Sequence, residues 1–296
     1  MNEKMNLIAE AKRWIEQERV WDDSLYASGN AEMRTTPTAD MTSGENTEKQ
    51  SSQKVGGLPS GSSVGLPVRL PDDPTLRSSA LQVLYDKYKN CTRCPLGPTR
   101  IKIVFGVGNP NSDVLFIGEG PGYEEDRRGE PFVGKSGQLL DKMLAAIGLS
   151  RQTNAYIANI VKCHPMTNPQ TPDARGNDRP PTPEEVATCS PILLQQIAIM
   201  KPRAIMTLGS PSTKMILHTR DAITGLRGKM VPFDVDYFYP EIAEMEELKI
   251  DPETREALRG TKVIPTYHPA ALLRNPNLKP ESWTDLKLLR EILAKP

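Results

Sequence analysis

The sequence predicts an α/β fold, a three-layer αβα arrangement around a central, mainly parallel sheet of four to five strands. Short apolar runs bounded by Gly and Pro alternate with longer segments whose apolar residues recur at helical spacing. The residues suited to chemistry stand just after those apolar runs, at the strand ends where such sheets bind ligands. No internal repeat is present.

In chain order, Leu7, Ile8, Ala11, Trp14 and Ile15 fall at helical spacing and predict an amphipathic helix within residues 1–25. Residues 26–72 shift to Ser, Gly, Thr, Pro and Gln and hold too few large apolar residues to offset their ordering entropy, which predicts a flexible linker. The folded domain is expected over 73–296, opening with a helix through Leu81, Leu84 and Tyr85. Strands are expected at 103–106, 114–117, 156–161, 203–208 and 262–265. Helices are expected at 136–147, 183–200, 211–217 and 281–293. An acidic segment at about 233–260 interrupts this alternation and reads as a solvated insertion that touches no site.

The formal net charge is zero, from 37 basic and 37 acidic residues, but the balance is uneven along the chain. Residues 81–232 hold 19 Lys/Arg against 13 Asp/Glu, and 261–296 hold six against three, while 233–260 hold nine acidic against three basic. The folded segments therefore have basic charge available for an anionic partner. No stretch approaches the roughly 20 apolar residues of a membrane span. The opening MNEKMNLIAEAKRWIEQERV is too charged for a secretory signal, so a cytoplasmic location is expected.

The four cysteines are Cys91 and Cys94 in a C-x-x-C pair, then Cys163 and Cys189 singly. Cytoplasmic proteins rarely use structural disulfides, so this set predicts a metal site. Four thiolates suit either zinc or an iron–sulfur cluster. Structural zinc usually takes two C-x-x-C knuckles, and one pair plus two singles favours a [4Fe–4S] cluster.

After the apolar run Val114 to Ile117 comes GEGPGYEEDRRGEPFVGKSGQLL, residues 118–140. Its segment GEPFVGKS fits the phosphate-loop pattern, but the residues before Gly129 are charged rather than a buried strand. Pro131 and Phe132 also occupy the part of the loop that would wrap phosphates. The phosphate-loop reading is therefore rejected. The alternative is a Gly- and Pro-shaped wall with carboxylates and an aromatic, suited to a flat polar ring.

Three segments together, GEGPGYEEDRRGEPFVGKSGQLL, NIVKCHP with Asn159, and TYHPAALLRNP with His268, resemble the family 4 uracil-DNA glycosylases, and the four cysteines resemble that family's iron–sulfur signature. The resemblance runs from about Tyr85 to Leu293 and implies a uracil-DNA glycosylase-like fold. It also implies hydrolysis of the N-glycosidic bond of deoxyuridine in DNA, releasing uracil and leaving an abasic site. Such chemistry needs the nucleotide extruded from the stack. On this resemblance Phe132 is the floor on which uracil stacks, Asn159 reads O4 and N3–H, and Gly118 and Gly120 let the backbone approach the base. His268 is expected at uracil O2, where charge develops. Relatives place an aspartate where this chain has Gly120, so Glu119 and Glu125 become the candidates for holding water or stabilising the sugar cation. Leu272 is the expected wedge into the vacated stack, with Arg274 and Ser210 as phosphate contacts.

Departures from the family pattern are His164 in place of the usual Arg after the third cysteine and a long gap between Cys163 and Cys189. A related subgroup traps DNA covalently, which leaves an alternative of a cluster-bearing module that binds or traps uracil-DNA without turnover. The Arg-rich, His-containing insertion of that subgroup is missing here. The partner expected is uracil-containing DNA, single- or double-stranded. The chain is expected to act as a monomer, with the N-terminal helix a candidate docking element for a protein partner that no residue names.

Overall fold

A computed structural model describes residues 74–237 and 252–295 of the chain. The expected N-terminal helix and linker lie outside the described residues.

Six strands form one sheet in the order β1-β3-β2-β4-β6-β5: β1 (Val107–Gly108), β2 (Val114–Gly118), β3 (Tyr156–Asn159), β4 (Ala204–Leu208), β5 (Val231–Pro232) and β6 (Lys262–Thr266). The inner four pair in parallel, and the two-residue edge strands β1 and β5 pair antiparallel with β3 and β6. The mainly parallel sheet is thus as expected, but with six strands instead of four to five. The additional β5 pairing is too short to leave a period-2 pattern. The run at 103–106 is buried but forms no strand; it carries the bond from Val104 N to Lys162 O (2.8 Å) instead. Pairing begins only at Val107, between Gly106 and Gly108, both at positive φ.

The helices are α1 (Pro74–Tyr88), α2 (Tyr123–Arg128), α3 (Lys135–Ala146), α4 (Pro183–Met200), α5 (Ser210–Leu217), α6 (Ile223–Leu226), α7 (Pro252–Arg259), α8 (Pro269–Arg274) and α9 (Lys279–Leu293). Strands β2 and β4 are buried along their whole length, as continuous apolar runs with helices on both faces require. Leu115, Ile117, Ile205 and Val263 join the core cluster with α1 and α4. The alternate residues Phe116, Met206 and Ile264 are equally buried but outside that cluster, on the opposite face of the sheet. There α9 packs on β4 and β6.

Helix α4 starts where the sequence marks it. Thr182 caps it, accepting from Glu185 N (3.3 Å), Glu185 returns the bond to Thr182 N (2.8 Å), and Pro183 follows the cap. The acidic insertion departs from expectation, because both its described ends are docked. Phe233, Val235 and Leu258 are buried in the core cluster, and Asp236 pairs with Arg259 at 3.0 Å and with Arg255. Its middle, 238–251, lies outside the described residues.

The register decides what the sheet presents at its carboxyl edge. Gly118 is the partner of Asn159 across β2 and β3, and Leu208 that of Thr266 across β4 and β6. The loop Gly118 to Gly122 and the residues Asn159, Gly209 and His268 therefore emerge together.

Candidate active site

A pocket of about 540 Å³ opens at this edge, lined by Glu119, Gly120, Glu125, Phe132, Asn159 and His268 on one side. Arg175, Asp178, Arg179 and Pro180 line the other. The structure thus brings together the dispersed residues of all three sequence segments.

Asn159 closes β3 and is 1 % exposed, yet its side-chain Oδ1 has no hydrogen-bond partner. A buried amide oxygen left unpaired is costly unless something else completes it. Its backbone carbonyl accepts from Lys162 Nζ (2.8 Å), which also donates to Gln196 Oε1 (2.6 Å), so the strand end is anchored from beneath. Burial holds the Lys162 ammonium's pKa down, to about 7, against the raising influence of Cys189 and Cys163. Gly118 is required beside Asn159: a β-carbon there would stand 2.4 Å from Asn159 Oδ1 and 2.6 Å from Phe132 Cζ.

Phe132 forms the pocket floor at φ +55°, a left-handed conformation that is rare for a bulky residue and typical of constrained functional positions. Gly137 in α3 permits it, since a β-carbon there would lie 1.9 Å from Phe132 O. The Phe132 ring sits 5.5 Å from the His268 ring, tilted by 33°.

His268 caps α8. Its Nδ1 accepts from Ala270 N (3.1 Å), which places the ring proton on Nε2 and makes that atom a donor. Burial, aided by the Arg274 cation, lowers its pKa to about 4, so the ring is neutral at pH 7. Gly209, at φ +92°, approaches it closely: a β-carbon on Gly209 would lie 3.0 Å from that of His268. Ser210 begins α5 immediately beyond Gly209 and is half-buried, outside the residues that line the pocket.

The two carboxylates differ. Glu119 is half-buried in the pocket wall and burial raises its pKa. Glu125, expected to hold water or stabilise the sugar cation, is taken up by backbone amides. Its Oε1 accepts from Val133 N (2.8 Å) and Gly134 N (3.0 Å), and its Oε2 from Gly122 N (3.2 Å). It ties the start of α2 to the start of α3. The Gly134-Lys135-Ser136 segment accordingly opens a helix with Val133 N and Gly134 N already bonded to Glu125, which removes them from any phosphate loop.

A second correction concerns the wedge. Leu272 is fully buried in α8, on the helix that packs against α3, whereas Leu273 is 43 % exposed. Four residues after His268, Leu272 shares that residue's inward face; one step of about 100° turns Leu273 outward. Arg274 is exposed at the end of the same helix.

Sequence reading missed two contributors. The long segment between Cys163 and Cys189 forms the outer pocket wall. His164 Nε2 meets Asp178 Oδ1 at 2.6 Å, Met166 bridges to Asp178, and Arg179 forks onto Glu185 (2.7 and 2.8 Å). Burial opposes protonation of His164, but Asp126 and Asp178 outweigh it and raise its pKa. The other is Arg151, buried behind Phe132; a lone Arg in a turn carries no motif, and only its contacts reveal it.

The four cysteines and Lys162 line one small cavity, although no group of three or more His, Cys, Asp or Glu among the described residues gathers tightly enough for a single ion. Lys162 N donates to Cys189 Sγ (3.3 Å) and Arg100 to Cys163 Sγ (3.6 Å), donors of the kind that stabilise thiolate sulfur. Burial raises the thiol pKa of Cys163 to about 12 and that of Cys189 likewise upward, so each needs positive charge to ionise.

The sequence profile of the uracil DNA glycosylase superfamily matches residues 105–287. The chain is 37% identical over 200 residues to a type-4 uracil-DNA glycosylase of Thermotoga maritima, covering 67% of this chain and 86% of that protein. It is 36% identical over 210 residues to one of Archaeoglobus fulgidus, covering 70% and 89%. A third, from Sulfurisphaera tokodaii, is 36% identical over 222 residues, covering 73% and 86%. Among the described residues, no helix is long and apolar enough to cross a membrane.

Proposed function

Because this chain belongs to the uracil-DNA glycosylase superfamily, with type-4 enzymes among its relatives, we propose that it hydrolyses the N-glycosidic bond of deoxyuridine in DNA. The observation that carries this reading is the buried, unpartnered Oδ1 of Asn159, set beside Phe132 and in one pocket with His268. A uracil lying on Phe132 completes it: N3–H donates to Oδ1, and the amide NH₂ donates to O4. Cytosine presents a lone pair at N3 and a donor at C4, leaving both amide groups mismatched and buried.

The steps follow from the residues. An extruded deoxyuridine stacks on Phe132 and is oriented by Asn159. As the C1′–N1 bond lengthens, the sugar becomes oxocarbenium-like and negative charge collects on uracil N1 and O2. Neutral His268, with Nε2–H as donor, stabilises that charge without transferring its proton. Glu119 is the carboxylate assigned to the cationic sugar and the attacking water. Glu125 acts by holding the backbone of the pocket wall, and its charge also favours the proton on His268.

Leu273, rather than Leu272, is the residue we assign as the wedge into the vacated stack, with Arg274 and Ser210 toward the phosphates. Cys91, Cys94, Cys163 and Cys189 would hold a [4Fe–4S] cluster. The four cysteines line one cavity, and four thiolates are the ligand set that such a cluster takes. When bound, the cluster would supply a covalent tie between three chain segments, the Cys91–Cys94 loop, Cys163 and Cys189.

Purified protein incubated with matched oligonucleotides containing uracil, thymine or hypoxanthine, then treated with alkali, tests the reading. Strand scission at uracil with release of free uracil is expected. Intact uracil strands overturn it, and a stable protein–DNA adduct without uracil release would favour the binding-module alternative. Asn159→Ala should cost about 10²-fold or more in kcat/KM on uracil, since one face of the base edge is left unpaired.

A further inference from the structure

Phe132 holds the pocket floor in a backbone conformation that residues with a β-carbon avoid, so something must impose it. One backbone group on each of the four consecutive residues Pro131, Phe132, Val133 and Gly134 is gripped by one of two charged residues. On the far side, Glu125 Oε1 takes Val133 N and Gly134 N. On the near side, Arg151 Nη1 donates to Pro131 O (2.8 Å) and Nη2 donates to Phe132 O (2.8 Å). Arg151 is 8 % exposed, and its Nε donates to the half-exposed Asp141 Oδ1 (2.7 Å), which orients the guanidinium plane.

The guanidinium fork is a rigid, planar arrangement of donors, and two adjacent carbonyls at equal distance are the kind of target it fits and a lysine does not. A buried cation is costly to place for stability alone. This one sits where the strained peptide needs a partner for both carbonyls, and Gly137 leaves the space for Phe132 O on the same side.

We propose that Arg151 is a positioning residue for the base. Its fork clamps the Pro131 and Phe132 carbonyls against the Glu125 clamp on the following amides, and so presets the Phe132 ring as the stacking floor. The inference rests on the uracil-pocket reading given above.

It is tested with Arg151→Lys and Arg151→Ala in the full-length, cluster-loaded protein. Two affinities are measured: for free uracil, which requires the floor, and for an oligonucleotide bearing an abasic site, which does not. Uracil affinity should fall about tenfold or more in both variants, while abasic-DNA affinity stays within about twofold. Millimolar guanidinium should restore uracil binding to Arg151→Ala by refilling the clamp. Full uracil affinity in Arg151→Lys overturns the inference whatever Arg151→Ala does, as does a parallel loss of both affinities in step with the folded fraction. Wild-type protein that binds abasic DNA but not uracil would instead overturn the pocket reading.

Discussion

At the scale of single residues, chemistry is set by which groups are already satisfied. His268 and Glu125 stand in one pocket, yet one has a free donor and the other is bonded to three backbone amides. Because the His268 pKa lies at about 4, its ring needs no deprotonation near pH 6.5 to be active. The pH profile of kcat/KM should therefore show no limb at the usual histidine pKa. It should fall only in acid, where Glu119, whose pKa burial raises above its ordinary value, takes up a proton. Glu119→Gln should remove that limb along with much of the rate; a limb at pH 6.5 that survives in the variant would refute the assignment. His268→Ala should lower kcat by about 10² to 10³, the usual cost of losing one preorganised donor at developing charge. The same shift affects folding. Below the unfolded pKa of 6.5 the unfolded chain binds a proton that the folded one refuses, so this residue destabilises the fold progressively as pH falls toward 4.

At the scale of elements, α8 shows how far spacing alone reaches. From its residues the segment after His268 is expected to be a DNA-facing loop, whereas the structure makes it a helix packed on α3, and which leucine faces out depends on that packing. Leu272→Ala should behave as a core truncation, costing roughly 2–5 kcal/mol of stability in a denaturant titration. Leu273→Ala should leave stability within about 0.5 kcal/mol of wild type. It should slow excision from duplex more than from single-stranded oligonucleotides, since only the duplex has a stack to hold open. Equal effects on both substrates would sink the wedge role of Leu273. The same limit explains the outer pocket wall. Strands β2, β3, β4 and β6 and helices α3, α4 and α9 declare themselves by apolar runs, period and caps, because burial on a sheet demands those patterns. The wall from Pro165 to Pro181 is held by individual polar contacts such as His164 to Asp178, which have no period. Arg151 and the strain at Phe132 are invisible for the same reason.

At the scale of the whole molecule, the pocket at the sheet edge and the cysteine cavity are two ends of one short piece of chain. From Asn159 to Cys163 the strand end passes from the proposed base-reading amide to a proposed cluster ligand in four steps, and Lys162 bonds both ways, by Nζ to Asn159 O and by its backbone N–H to Cys189 Sγ. Cys91 and Cys94 lie on the loop after α1 and Cys189 within α4, so a group bound by all four cysteines would join these segments to the β3 end. The cysteine count and the C-x-x-C pair mark these four residues as a candidate metal site in the sequence, and the structure brings them around one cavity. Its proximity to Asn159 was not legible, because it arises from sheet register. Removal of the cluster by oxidation and chelation should therefore act on fold and pocket together. The brown absorbance near 400 nm should bleach, and the melting temperature should fall by about 10 °C, the shift expected when several kcal/mol of ligation are lost from a domain of this size. Uracil affinity, measured below that lowered transition, should also weaken as the Asn159 strand end loses its tether. A bleached protein that keeps both its melting temperature and its uracil affinity would show that the cluster is not the structural tie between these segments.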